Sequence, residues 1–223
     1  FHKMREMIKM VIVLTILSCF SGVVLAYLRN STKDRIDNQV LEFVKGPAVR
    51  TIFEGAENNP IADRFILKDG DVERTVFVAF YEVEPRGVAF ETFGKGYGGN
   101  VGLMVGIDLK ENKLMGVGVT THAETPGMGA KAKSDPNFVA QFKDQPIDKP
   151  IKVTSDGGSI NAISGATITS RAVSAAATEA GELYNKMKDQ ITTEAGKVKK
   201  NGSNKIKKQE GVDGKTTCTG IFQ

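Results

Sequence analysis

The chain has 223 residues, 40% of them hydrophobic and 25% charged, with a net charge of +4. That suits one domain with a real core plus accessory segments, and it excludes a disordered or fibrous chain. The positive excess is not a nucleic-acid footprint. From Ile191 onward seven lysines face only Glu194, Glu210 and Asp213, and everything before them balances. The two cysteines, Cys19 in an apolar run and Cys218 in a polar tail, exclude a cysteine-ligated metal or iron–sulfur centre of the chain's own.

Residues 1–9 read as a short basic tail. Met10–Leu28 follows as a 19-residue run without a charge, flanked by Lys9 and Arg29. At ~1.5 Å per residue it covers roughly 28 Å, close to a ~30 Å hydrocarbon core. A cleavable signal has a shorter apolar region, ~7–15 residues, followed by a small-residue cleavage site. "YLRNST" supplies no such site, so residues 10–28 are expected to be a retained single-span anchor. Lys3, Arg5 and Lys9 precede the span and Arg29, Lys33 and Arg35 follow it, so charge alone does not orient it.

The domain is expected over residues 30–190. It opens with a helix capped by Ser31 or Thr32, in which Ile36, Val40, Phe43 and Val44 recur at helical spacing. The period then changes to that of strands. "FILKDGDVERTVFVAFYEV" holds an Asp69–Gly70 turn between two β-like runs. "GVAFETF", "VGLMVGIDL" and "KLMGVGVTT" continue as strands, the last two joined by "KEN", and "IKVTS" reads as a further short one. "DPNFVAQF" predicts a short helix with Pro136 in its first turn. From Thr169 to about Lys188, Ala172, Val173, Ala176, Ala180, Leu183 and Met187 form one apolar stripe. The fold class is therefore α+β, a mainly antiparallel sheet with flanking helices, preceded by one transmembrane helix. The Lys-rich segment 191–223 is aperiodic and reads as a flexible tail.

Three loops hold unusual chemistry. Gly94–Gly99, "GKGYGG", meets the G-x-G-x-x-G pattern, but a strand-like run follows it where a dinucleotide fold needs a helix. It is either a glycine-rich hairpin turn or a place where backbone approaches a ligand closely. Thr121–Gly129, "THAETPGMG", follows a strand directly. Its His122 has no second histidine or cysteine nearby, which argues against a metal. With Gly127 and Gly129 it is either structural or the wall of a pocket lined with exposed N–H groups. Ile163–Ser170, "ISGATITS", gathers Ser164, Thr167, Thr169 and Ser170 around Gly165 where a helix begins. Either a hydroxyl simply caps that helix, or the free N–H groups and positive dipole end form an anion site. In the second case a threonine hydroxyl sits beside a bound phosphate, placed to become esterified to it.

Taken together and in this order, the loops resemble the FMN-binding domains of Rnf and Na⁺-translocating NADH:quinone reductase complexes. "SGAT" before a helix resembles their flavinylation motif, and "HAETPGMG" resembles their H-x-E-T-P-G-[LM]-G loop. "GYGGNVGLMVGID" is similar to the glycine loop of the Rnf G subunit rather than to its quinone-reductase counterpart. The resemblance reaches to about Lys188. It implies that Thr167, closing the Ser164-Gly165-Ala166-Thr167 motif, carries FMN through a phosphoester made by a separate flavin transferase from FAD with Mg²⁺. It further implies that Glu124 and Thr125 make polar contacts to the isoalloxazine beside Gly127, that Met128 packs on the ring, and that Tyr97 and Gly98 form another wall. By the same likeness the chain is an electron-carrier subunit of an Rnf-type ferredoxin:NAD⁺ oxidoreductase, single-pass in the inner membrane, with its domain on the periplasmic or outer side. Its partners are then the other membrane subunits, the lipid bilayer and the transferase, with no nucleic acid and no separate substrate site. Three alternatives stand beside it: the quinone-reductase counterpart of that subunit, a free-standing anchored flavoprotein, and a non-redox assembly module whose SGAT only caps a helix. One position departs from the family pattern. Asn161 stands three residues before Ser164, where the family commonly has Asp.

Overall fold

The structure is a computed structural model that describes residues 2–213 apart from 71 and 83. It divides into two units, 1–43 and 44–223. The first is essentially α1 (His2–Gln39), one helix long and apolar enough to cross a membrane. Its large apolar side chains are exposed all round, among them Leu14, Leu17, Phe20 and Leu25. A helix with no polar face has no stable place in water but suits hydrocarbon. The Thr15 hydroxyl donates to the Val11 carbonyl at 2.8 Å, so this polar group is satisfied inside the helix. The expected break at Ser31 or Thr32 is absent. No proline or glycine interrupts Tyr27–Gln39, so the helix runs on, passes through a π-helical turn (Val40–Lys45) and gives way to α2 (Gly46–Ile52).

The second unit is built on one antiparallel meander: β1 (Arg64–Asp69), β2 (Val72–Tyr81), β3 (Glu84–Lys95), β4 (Asn100–Asp108) and β5 (Leu114–Val119), neighbours in sequence throughout. The tight turns dictate this order, since an antiparallel pair needs only a short connection. The "KEN" turn is stapled by Asp108, whose carboxylate accepts from the N–H groups of Lys110 and Glu111 at 2.7 and 3.0 Å. The "GKGYGG" run is the β3–β4 hairpin, closed by Gly96 N–H donating to Gly99 O at 2.8 Å.

Both faces of the central strands are covered, which is why β4 reads as a continuous apolar run rather than an alternation. On one face Val76, Phe90, Leu103, Val105 and Ile107 pack beneath α5 (Thr167–Asp213). The alanines at 172, 176 and 180 are fully or nearly fully buried, and small side chains let this helix come very close. The Thr92 hydroxyl donates to the Ala176 carbonyl at 2.9 Å, and a Cβ on Gly94 would lie 1.9 Å from the Ala172 oxygen. On the other face α2 lies on a glycine stripe. A Cβ on Gly106 would meet Ile52 at 2.2 Å, and one on Gly118 would meet Ala48 at 2.8 Å.

Two short helices, α3 (Lys131–Ser134) and α4 (Pro136–Ala140), follow the 121–129 loop. As expected, Pro136 opens α4, and Asp135 caps it by accepting from Asn137 N–H. "IKVTS" does not become a strand of the sheet. Val153 makes one parallel bridge to Ile160, and the chain folds into a single 3₁₀ turn at Thr154–Asp156, because Gly157 and Gly158 reverse it at once. The flexible tail expected from residue 191 also gives way to helix as far as Asp213. The backbone kinks at Met187 (φ −116°, ψ 17°), and beyond the kink Ile191 and Ala195, four residues apart, stay buried. Residues 214–223 lie outside the described residues.

Candidate functional site

The sheet brings the three loops together at one end of α5. Met128, Thr125, Glu124 and Gly129 from the 121–129 loop, Tyr97 from the β3–β4 hairpin, and Gly165, Ala166, Thr167, Ile168 and Thr169 from the helix start line one cavity of about 520 Å³. That size falls within the ~300–1,000 Å³ typical of cofactor sites. Of the residues expected at the cofactor, Ser164, Gly127 and Gly98 do not line it. Thr169 and Gly129, noted in the sequence as a helix-start hydroxyl and a pocket-wall glycine, line it too, as does Ile168, which the sequence did not single out. Tyr97 is 76% exposed, Met128 49% and Ile168 48%, which gives the cavity an apolar, solvent-facing rim.

The helix start explains where the hydroxyls go. Gly165 adopts φ +76°, a left-handed conformation that favours glycine, and the turn closes with Ala166 N–H donating to Ile163 O at 2.9 Å. Buried Ser170 then clasps the turn from inside the helix. Its oxygen accepts from Ile163 N–H at 3.0 Å and donates to Ala166 O at 3.0 Å. Ser164 and Thr167 were the expected caps, yet among the described residues neither hydroxyl bonds the helix end. Thr167 is the first helical residue, half-buried, with its hydroxyl uncommitted at the cavity. The first-turn N–H groups of any helix lack intrahelical acceptors and carry the positive end of the dipole, so an anionic group fits here. The cradle is tight as well as polar. A Cβ on Gly165 would approach Met128 Cε to 3.1 Å. The residues present therefore fit a phosphate-bearing ring cofactor.

Glu124 sits differently from expectation. It is 6% exposed, and both its oxygens are engaged: Oε2 accepts from Thr169 Oγ1 at 2.6 Å, and Oε1 accepts from Gly98 N–H at 2.9 Å. Burial pushes this carboxyl up. The bonds from Thr169, Gly98 and Tyr97, with the field of His122, outweigh burial and hold it below the usual carboxylate value. Thr169 and Ser170 were visible as hydroxyls one turn into the helix, but their partners lie 45 and 7 residues away along the chain. Asn161 is exposed, with its backbone N–H donating to Gln141 Oε1 at 2.7 Å. Asp156, the nearest upstream carboxylate, is paired bidentately with Arg171 at 2.7 Å and 2.7 Å.

The family described as FMN-binding domain matches residues 96–182, which hold the glycine hairpin, the 121–129 loop and the helix start that line the cavity. The fold is shared with the C subunit of the Na⁺-translocating NADH-quinone reductase of Parabacteroides distasonis, at a TM-score of 0.54 and 24% identity over 71% of this chain and 96% of that one. Similarity in sequence is to the G subunit of the ion-translocating oxidoreductase complex of Shewanella amazonensis, 34% identical over 66% of this chain and 74% of the relative. The corresponding G subunit of Vibrio cholerae is 30% identical over 81% of this chain and 91% of its own length. The chain belongs to this family of G subunits of ion-translocating oxidoreductase complexes.

Proposed function

We propose that the chain is the FMN-bearing electron-carrier subunit of an Rnf-type ferredoxin:NAD⁺ oxidoreductase, anchored by α1, with its domain on the outer side of the membrane. The flavin is held through a phosphoester on Thr167. One observation carries the covalent reading: Thr167 opens a long helix at a flavin-sized cavity with its hydroxyl uncommitted, while Ser170 does the clasping that Thr167 would otherwise do. Making the bond transfers the FMN half of FAD to Thr167 Oγ1. The hydroxyl proton is lost, and AMP leaves from the other side of the pyrophosphate.

When bound, FMN supplies the redox chemistry. The chain's own residues do the rest. The first turn of α5 would offer N–H groups to the phosphate, and Gly165, lacking a Cβ, keeps the turn clear of Met128. Met128, Ile168 and Tyr97, exposed at the rim, would give apolar surface to the ring. A tether suits a carrier that cycles repeatedly, since loss of the cofactor would interrupt the path. Orientation across the membrane rests on the family resemblance, because the flanking charges balance.

The test is the intact mass of the denatured full chain, expressed with a flavin transferase, beside Thr167→Ala. The expected result is a mass increase of FMN less water that is missing from the variant. An unmodified wild-type chain would return the site to a structural helix start.

A further inference from the structure

We infer that Glu124 is a positioning residue: it ties the β3–β4 hairpin, the 121–129 loop and the first turn of α5 into one preformed cradle, and its charge acts on whatever occupies that cradle. Its role is then that of a clasp within the protein rather than of a polar group waiting for the ring. For its redox readout the inference rests on the flavin reading above; the clasp is a property of the chain alone.

The geometry is specific to a carboxylate. Three donors converge on Glu124: Thr169 Oγ1–H at 2.6 Å, Gly98 N–H at 2.9 Å and the Tyr97 N–H. The first two come from segments 45 and 26 residues away in the chain. Every partner donates, so the central group must accept at both ends. A glutamine of the same shape offers one acceptor and one NH₂, and the NH₂ would face a donor. Space around the carboxylate has been cleared for it. A Cβ on Gly96 would fall 2.3 Å from Oε1, and one on Gly129 would fall 2.7 Å from Oε2 and 2.7 Å from Thr169 Oγ1. Those two glycines are therefore the room that the clasp occupies.

Thr169 lies two residues after Thr167, so fixing Thr169 fixes the turn that presents the Thr167 hydroxyl. Glu124 also lines the same cavity. A buried negative charge there opposes the arrival of an electron at a nearby acceptor, and low-dielectric surroundings strengthen the effect. The clasp thus both builds the site and lowers the potential of the group in it.

The experiment compares the full chain in detergent with Glu124→Gln and Thr169→Val. It reads amide hydrogen exchange in the unloaded chain, FMN occupancy by mass after co-expression with the transferase, and the midpoint potential of the bound FMN. In Glu124→Gln the Tyr97 and Gly98 amides and that of Ser170, which donates to Ala166 O at 3.0 Å, are expected to exchange at least tenfold faster. Occupancy falls, and the midpoint of the FMN that remains moves upward. Thr169→Val keeps the charge, so exchange quickens at Ser170 while the midpoint stays near the wild-type value. Wild-type exchange at residues 97 and 98 in Glu124→Gln, or an unmoved midpoint, would overturn the inference. So would acceleration spread equally through Leu103–Ile107, which would make Glu124 a residue of global stability only. A wild-type chain without FMN would sink the flavin reading, while the exchange comparison would still decide the clasp.

Discussion

Replacing Gly94 by alanine adds one methyl group where β3 meets α5 backbone to backbone. The new Cβ would stand 1.9 Å from the Ala172 oxygen and 2.6 Å from its carbonyl carbon. An acceptable carbon–oxygen approach is roughly 3.3 Å, so strand and helix must part by about 1.4 Å. The obstacle is main chain, so no side chain can rotate away. The shift would also lengthen the Thr92–Ala176 bond, now 2.9 Å, two residues along the strand. Overpacking of this kind costs ~1–3 kcal/mol, and a backbone obstacle puts it at the upper end, about 3 kcal/mol. For a domain of this size that lowers the melting temperature by roughly 6–12 °C. Thermal unfolding by circular dichroism is the assay, with Gly157→Ala as control. Gly157 has φ +79° but nothing within 4 Å of an added Cβ, so only backbone strain of about 1 kcal/mol applies. If Gly94→Ala melts no lower than Gly157→Ala, the close docking of α5 on β3 is wrong.

Ser170→Ala removes the acceptor of a buried N–H, that of Ile163, which should cost about 1–3 kcal/mol. It should also loosen the SGAT turn, seen as lower FMN occupancy without change in the far-ultraviolet spectrum; unchanged occupancy would argue against the clasp. Asp108 gives a pH test. Burial pushes its carboxyl up, but the Glu111 and Lys110 N–H groups and Arg86 outweigh that and hold it below its usual value. A group with a lowered folded pKa stabilises above its unfolded value and loses that contribution as pH falls through the folded one. The stability gap between wild type and Asp108→Asn, read from urea midpoints, should therefore be full at pH 7 and begin to narrow below about pH 4. A gap that stays constant down to pH 3 would contradict it.

Much of this architecture is legible along the chain because the interactions are local. Strand turns at Asp69–Gly70 and Lys110–Asn112, the Asp135–Pro136 helix start and the apolar run of α1 depend on neighbours within a few residues. The misreadings also have local causes. Ser31 and Thr32 resemble caps, but nothing in Tyr27–Gln39 stops a helix. "IKVTS" has strand composition, but Gly157 and Gly158 turn it back after a single bridge, before it can join the sheet. The apolar series through Ile191 and Ala195 is sparse among lysines, and burial against the sheet domain reveals what composition hid.

The sequence by itself determined the five sheet strands, the meander order and the three glycine- and hydroxyl-rich loops, because periodicity and turn chemistry are short-range. Tertiary structure alone decided which hydroxyl is free and which is spent. Ser170 and Thr169 are committed to Ile163 and Glu124, leaving Thr167 at the cavity, and no spacing rule connects residues 45 apart. Hydrogen bonds act over about 3 Å whatever the separation along the chain, so only the folded sheet, bringing hairpin, loop and helix start to one end, could assign them.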